Sequence, residues 1–476
     1  MEADQEPIAG GYTLALFGLG LALGVLTIRV RYQQKLEERN AGGEIVVTQD
    51  FKKFQATFMK VYLLALLTEW FQAAYLFVLL REYHPEGFVV RMYLAGVASQ
   101  LSLSVVLEVV GGFVPHKLRC VACLALQAGS AMLLVHPAFG GLVTSRVLAG
   151  FAASLLHSSF EAWMVEQHVG QGFPLDWFTH TFNRLSVAMS FLALAVGPPV
   201  TAAFELAGGP LGPFKVSLLM VGLNGLLLLS WRRDSHKPCP ACADVGRMTS
   251  RALSALGEPG GGKVALVAVA QGCFEAATFA FALLWTPLLT LPVVMSREMG
   301  GLWQEQHQQQ PPWGMVFSQQ LACVMIGSVV YKLATSLAPA AATAERMCLL
   351  ASVGGACCFF TISTGQLPHL GVQCALLEYE ICVGVYLNAM GVMRSKYIPQ
   401  EVRGLVLTVS KLLITTTLFV FLMYFSESRS IATGMCGALL SVAAVCSAQA
   451  ASGDTAADDE GQSGGDGGGS GGGAGG

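Results

Sequence analysis

The stretch Phe71-Gln72-Ala73-Ala74-Tyr75 returns as Phe274-Glu275-Ala276-Ala277-Thr278. Each copy lies near the middle of a long apolar run, and each run opens a set of six. The fifth runs carry a second match, Thr181-Phe-Asn-Arg184 against Thr408-Val-Ser-Lys411. The fourth carry a third, Arg146-x-x-x-Gly150 against Glu380-x-x-x-Gly384. The matches keep their order while their offsets drift, as loop insertions would cause. This pattern predicts two related helical bundles in tandem. In parallel repeats of this kind a ligand site lies between the halves near the bilayer midplane.

Composition agrees. The chain is 53% hydrophobic and 12% charged, with a mean hydropathy of +0.56. A soluble domain carries about 25% charged residues, so this chain lacks the polar surface to coat a soluble globule. No basic stretch has the interleaved aromatics of a nucleic-acid groove, which sets that partner class aside. The 13 cysteines are scattered, mostly inside apolar runs. There they act as small hydrophobes rather than a disulfide framework.

A bilayer core about 30 Å thick needs roughly 20 mostly apolar residues per helix. The first candidate span is Gly11–Ile28, with Arg29, Arg31, Lys35 and Arg39 behind it. A cleaved signal would want its basic residues in front, so this is read as a retained anchor helix. Six spans follow at 55–80, 88–114, 118–137, 142–165, 177–206 and 213–231. Six more come at 264–291, 312–336, 347–365, 370–393, 404–426 and 430–450. The fold class is therefore all-α membrane protein, two six-helix bundles plus one extra N-terminal transmembrane helix. The expected divisions are an anchor and basic loop at 1–50, the first bundle at 51–232, a cytoplasmic central loop at 233–262 and the second bundle at 263–450. An acidic, Gly-rich tail at 451–476 is expected to be disordered. With the loop after Gly11–Ile28 in the cytoplasm, Lys and Arg fall inside at nearly every turn. The N-terminus is then outside and the tail cytoplasmic.

An ionisable residue inside a span costs at least about 2.5–3.5 kcal/mol, so it usually faces the bundle interior. Glu69 and Glu275 sit deepest. A carboxyl withdrawn from water holds a proton more readily, and a nearby cation opposes this, so both suit proton exchange; the bland alternative is a paired Glu locking two helices. Glu378 and Glu380 join them as proton-coupling candidates. Arg184 and Lys411 occupy equivalent places and would clasp an oxyanion, one by a planar fork and the other as a point charge. Snorkelling to the headgroups is the alternative. Arg146, Gln72 and Tyr75 complete the candidate substrate-binding set. Arg146 lies near the outer face, which leaves snorkelling or pairing with Glu378 or Glu380 open. Glu161 is read as structural. Gly150, Gly384 and Gly391 would permit close helix crossings, and Pro198-Pro199 would kink its helix and free backbone carbonyls. His236-x-x-Cys239-x-x-Cys242 lacks a fourth ligand for zinc, so no metal site and no cofactor are expected. The motifs of nucleotide binding and of hydrolytic catalysis are missing, and the chain is read as not an enzyme.

Twelve core helices in two halves resemble the major facilitator superfamily. Tyr62-Leu-Leu-Ala-Leu-Leu-Thr-Glu-Trp70-Phe-Gln-Ala-Ala-Tyr75 is similar to the first core helix of the molybdate-anion transporter family. Ser159-Phe160-Glu161-Ala162-Trp163 and Phe173-Pro174-x-Asp176-Trp177 also resemble that family, as do Phe274-Glu275, Leu284-Trp285-Thr286-Pro287 and Lys396-x-Ile398-Pro399. The superfamily's Gly-x-x-x-Asp-Arg-x-Gly-Arg loop is degenerate here, reading Gly111 to Arg119 without the acidic residue. The resemblance implies a multi-pass carrier, expected at the plasma membrane, that takes up molybdate by alternating access with protons as coupling ion. Carriage of another small solute (sulfate, a sugar, an organic ion) and a non-transporting sensor on a carrier fold are the alternatives.

Overall fold

The computed structural model describes residues 6–40, 48–110, 113–229, 231, 254, 261–298, 311–399, 404, 406, 410–412, 415–416 and 428–463. The helices are α1 (Glu6–Asn40), α2 (Gln49–Tyr83), α3 (Glu86–Val110), α4 (His116–Leu133), α5 (Phe139–Gly170), α6 (Trp177–Ala195) and α7 (Gly197–Leu206). They continue as α8 (Gly212–Leu229), α9 (Gly261–Glu298), α10 (Trp313–Leu337), α11 (Ala344–Ser363), α12 (His369–Tyr397) and α13 (Arg429–Ser463). Among the described residues, ten helices are long and apolar enough to cross a bilayer, and α6 with α7 adds a span bent by 40°. The expected span at 118–137 is α4, whose first turn is polar with His116, Lys117 and Arg119. The expected span at 404–426 falls largely outside the described residues; those of it that are described are helical. The central loop, its His236-Cys239-Cys242 cluster and residues 464–476 also lie outside. The final helix continues to Ser463, beyond the end read at 450. Its alanines (Ala448, Ala450, Ala451, Ala456, Ala457) favour helix although the segment is too polar to cross a membrane.

Local chemistry sets the helix ends. Thr48 Oγ1 accepts from Phe51 N at 3.4 Å at the start of α2, and Thr343 Oγ1 does the same for Arg346 N in α11. Asp50 and Glu345 lie in those first turns, where the helix dipole favours anions.

Packing partners repeat across the chain. The pairs α2–α8, α3–α5, α4–α5, α4–α8 and α2–α5 reappear as α9–α13, α10–α12, α11–α12, α11–α13 and α9–α12. Glycine makes the closest of these crossings. A Cβ on Gly150 would stand 2.1 Å from Gly96 O, and one on Gly384 would stand 2.0 Å from Val324 O. These two glycines are the repeated pair of the sequence motif, so the motif marks α3–α5 and α10–α12 contacts made backbone to backbone. Gly391 differs: nothing lies within 4 Å of its Cβ position, so it makes no such crossing.

The two bundles meet at one end. Trp70–Leu80 of α2 and Val89–Leu94 of α3 share one apolar core with α9 to α13. The opposite end of the first bundle, with Phe51, Phe58, Phe160, Trp163 and Trp231, forms a core of its own. At the joined end Arg429 bridges to Glu86 at 3.1 Å and donates to Pro287 O at 2.7 Å. The break before α7 makes a second seam. Pro198 and Pro199 open α7 without N–H donors. Pro198 thereby leaves the Leu194 carbonyl without its helical donor; Ser318 Oγ of α10 reaches it at 3.2 Å while donating to Ala193 O at 2.6 Å. The extra helix α1 lies over this seam. Leu23 and Val30 pack with Ile326 and Val329 of α10 and with Leu194 of α6, and Gln319 Nε2 donates to Tyr12 O at 2.9 Å.

Gly150→Ala and Gly384→Ala are each expected to cost about 1–3 kcal/mol, the usual range for overpacking. Gly391→Ala should stay within about 0.5 kcal/mol of the parent. Thermal unfolding of the detergent-purified protein, followed by size-exclusion fluorescence, checks the order.

Candidate functional site

The two deep glutamates face different partners. Glu275 of α9 pairs with Lys411 Nζ at 2.9 Å, with side chains 25% and 30% exposed. Gln271, one turn earlier on α9, donates to the other carboxylate oxygen at 2.6 Å. The neighbouring Ser410 hydroxyl donates to Ala268 O, which seats this helix on α9. The carboxylate thus has both oxygens occupied, and the ammonium is compensated inside its own bundle. Among the described residues Glu69 of α2 pairs with no lysine or arginine; the imidazole of His157 on α5 stands 3.9 Å from it.

Arg184 does not repeat the arrangement of Lys411. Its Nη1 donates to Gln55 Oε1 at 2.5 Å, and Gln55 Nε2 donates to Thr181 Oγ1 at 3.2 Å. Gln55 and Thr181 are buried while the guanidinium is exposed. The fork is therefore steered by a neutral amide. Ser186, two residues along α6, accepts from Lys332 Nζ of α10 at 3.5 Å. Arg184 of α6 and Lys332 of α10 thus each donate to a neutral side-chain oxygen, on the two helices that meet at the seam.

The remaining candidates sit elsewhere. Arg146 is 6% exposed and turns into α4, where its Nη2 meets Ser130 and Ser145 hydroxyls at 3.2 Å each. Gln72 donates to Ser217 of α8 at 3.2 Å, inside the first bundle. Tyr75 is 2% exposed and stacks on Phe204 with centroids 4.7 Å apart. Arg146 and Gln72 thus bond within the first bundle, while Tyr75 belongs to the apolar core that the two bundles share. Glu378 lines a cavity of about 230 Å³ between α11 and α12 with Cys357, Cys358 and Cys374. Glu380 is half-buried on α12. Glu161 accepts from Tyr62 OH at 3.4 Å rather than from a loop cation.

Sequence reasoning passed over Lys332, His157 and Gln55. Lys332 was visible as a lone cation inside an apolar run, and Gln55 sits seven residues before Tyr62 on the same stripe of α2. The degenerate loop is tied to the first bundle: Lys117 Nζ donates to Trp231 O at 2.5 Å, and His116 lies 3.7 Å from Glu166. Among the described residues no group of three or more His, Cys, Asp or Glu is placed to hold a metal.

Residues 12–386 match a family described as sugar transporters with 12 transmembrane segments. The molybdate-anion transporter of Xenopus tropicalis is 30% identical over 391 residues, covering 81% of each chain. That of Danio rerio is 29% identical over 425 residues, covering 83% of this chain and 82% of that one. A crystal structure of the nucleoside transporter NupG has a TM-score of 0.57 at 11% identity, covering 84% of this chain and 99% of its own. A D-xylose–proton symporter has a TM-score of 0.58 at 14% identity, covering 84% and 97%. At such identities the structural likeness speaks to the fold alone.

A double-mutant cycle checks the ion pair. Glu275→Gln and Lys411→Met should each lower thermal stability, and the double variant should lose less than the two losses combined. The coupling expected for a partly buried pair is about 1 kcal/mol or more, and additivity would contradict the pairing.

Proposed function

We infer the substrate from kinship: the chain belongs to the major facilitator superfamily and, within it, to the family of the molybdate-anion transporters. It is a multi-pass membrane transporter. Molybdate, a tetrahedral oxyanion, is the proposed cargo, taken up by alternating access between the bundles of residues 51–232 and 263–450. The observation that carries this reading is the charge balance of the inter-bundle space. Glu275 is already compensated by Lys411 at 2.9 Å. Arg184 presents an exposed guanidinium held only by an amide oxygen. A dianion therefore meets uncompensated positive charge, despite the number of intramembrane carboxylates.

The geometry supports a coupling scheme. Arg184 offers its planar fork to two oxyanion oxygens, and Lys332 adds a second cation on the facing helix. While Glu275 is ionised, Lys411 is engaged. When Glu275 takes a proton, its charge is gone and Lys411 is free to exchange the carboxylate for a substrate oxygen. One proton bound then admits one more cation–oxyanion contact, which ties proton entry to anion entry. Gln55 positions the guanidinium, so its loss should resemble a weaker version of losing Arg184. The proposed setting is the plasma membrane, with the N-terminus outside and the tail in the cytoplasm, as the Lys and Arg bias of the loops requires. A sugar substrate is the second reading, favoured by the description of the matched family.

Uptake of labelled molybdate into proteoliposomes tests this, with sulfate and D-xylose as competitors. The wild-type protein should accumulate molybdate when the outside is acid, and xylose should not compete. Arg184→Ala and Lys411→Ala should each raise the half-saturating concentration about tenfold to a hundredfold. That corresponds to a charge-assisted hydrogen bond of about 1.5–3 kcal/mol. Arg184→Lys should lose less. Unchanged uptake in both alanine variants removes the oxyanion clasp, and competition by xylose alone transfers the site to sugars.

A further inference from the structure

We propose that His157, framed by Glu69, Glu161 and Tyr62, is a second proton-binding site, built into the first bundle and separate from the Glu275–Lys411 pair. This deepens the reading above and rests on it for its place in transport, but not for proton binding itself.

The site follows from helix register. The helices α2 and α5 are packed against each other, and chain order runs them in opposite directions. Tyr62 and Glu69 are two turns apart on α2, and His157 and Glu161 are one turn apart on α5, so each pair lies on one stripe. Antiparallel packing then sets Glu69 beside His157 and Tyr62 beside Glu161. The distances agree: His157 Nε2 stands 3.9 Å from Glu69 Oε2, and Tyr62 OH donates to Glu161 Oε1 at 3.4 Å.

Exposure orders the cluster from open to closed. His157 is 55% exposed and Glu69 31%, while Tyr62 is 5% exposed in the aromatic core. An imidazole and a carboxylate at mid-helix gain nothing from hydrocarbon. Their open side must be the water-filled space that the carrier fold needs. The groups presented by every packed element are few. The helix α2 brings Tyr62 and Glu69. Its neighbour α4 brings Cys123, whose Sγ donates to Ala152 O at 3.3 Å. From α3 comes the Ser104 hydroxyl, 3.0 Å from that of Ser154. Among the described residues no lysine or arginine bonds to Glu69 or Glu161.

The contrast with the other bundle gives the cluster its role. There the deep glutamate has a permanent cation, Lys411. Here Glu69, one turn before the Gln72 that matches Glu275 in the repeat, has an imidazole, the side-chain type whose ordinary chemistry changes charge between about pH 5 and 8. With both carboxylates ionised, one proton arriving at a ring nitrogen takes the cluster from two negative charges to one. The proton leaves the same nitrogen when the site opens to the other side. The positive charge that faces Glu69 is thus loaded and unloaded, whereas the one that faces Glu275 is fixed.

Purified full-length protein in proteoliposomes on a solid-supported membrane tests the site. A substrate-free step from pH 7.5 to 5.5 should move charge in the wild type, and His157→Gln should at least halve that charge. His157→Lys, which restores a cation without ready titration, should give the same loss. With molybdate present, acid-driven accumulation in His157→Gln should fall about tenfold further than molybdate counterflow does. An undiminished pH-step charge in both variants overturns the proposal, whatever the substrate. A wild type that shows the pH-step charge but no molybdate counterflow refutes the substrate reading and leaves the proton site standing. Parallel thermal unfolding of the variants identifies any that are misfolded, and for those Glu161→Gln, with the same expected loss of charge, decides.

Discussion

The expense of holding a charge in hydrocarbon governs how the ionisable side chains of the described spans are partnered. The chain answers it in three ways. Some charges are neutralised within one bundle, as Glu275 is by Lys411 at 2.9 Å and Glu345 by Lys396 at 3.0 Å. One is wrapped in hydroxyls, as Arg146 is by Ser130 and Ser145. Arg184, Lys332, Glu69 and His157 form a third group: the first two donate to the neutral oxygens of Gln55 and Ser186, and the last two face each other. This group is where the proposed solute would be recognised.

The same constraint shapes the backbone. Pro198 opens α7 and frees the Leu194 carbonyl of α6, and a serine of the other bundle reaches it and the neighbouring Ala193 carbonyl. Within each bundle, glycines bring helices to backbone contact at α3–α5 and α10–α12, contacts that favour movement of each bundle as one body. Between the bundles, contact is concentrated at one end, where Glu86 meets Arg429 across the shared apolar core. Rocking of the bundles has to break that bridge and the Ser318 contacts while leaving the glycine crossings intact. The helix α1 rests on both sides of the α6–α10 seam, so it must ride with one bundle and slide on the other.

Much of this was legible in the residues. The Arg146/Gly150 and Glu380/Gly384 repeat forecast where the closest crossings fall, and Pro198-Pro199 forecast the bend. What the sequence could not convey was rotation. Gln72, Tyr75 and Arg146 lie on the right helices for a binding site, yet they face α8, Phe204 and α4. Periodicity says which residues share a stripe; neighbouring helices decide which stripe faces the space between bundles. Gly391 shows a related gap: it lies two turns from Gly384 on α12, yet nothing stands within 4 Å of its Cβ position. Lys332 was overlooked because it is alone in its run, and His157 because an imidazole beside Glu161 gains its meaning only from the partner helix, with Glu69. The symmetry of the repeat also misled: Arg184 and Lys411 occupy equivalent places, but one faces an amide and the other a carboxylate.

The central claim is that uncompensated cations between the bundles, Arg184 foremost, receive a tetrahedral oxyanion. Tungstate is a close chemical match for molybdate and scatters strongly enough to be located directly. A crystal of the protein soaked with tungstate and measured at the tungsten edge should show one anomalous peak within hydrogen-bonding reach of the Arg184 guanidinium, in the space bordered by α2, α6 and α10. A strong peak confined to another part of the molecule, with Arg184 still held only by Gln55, would contradict the account.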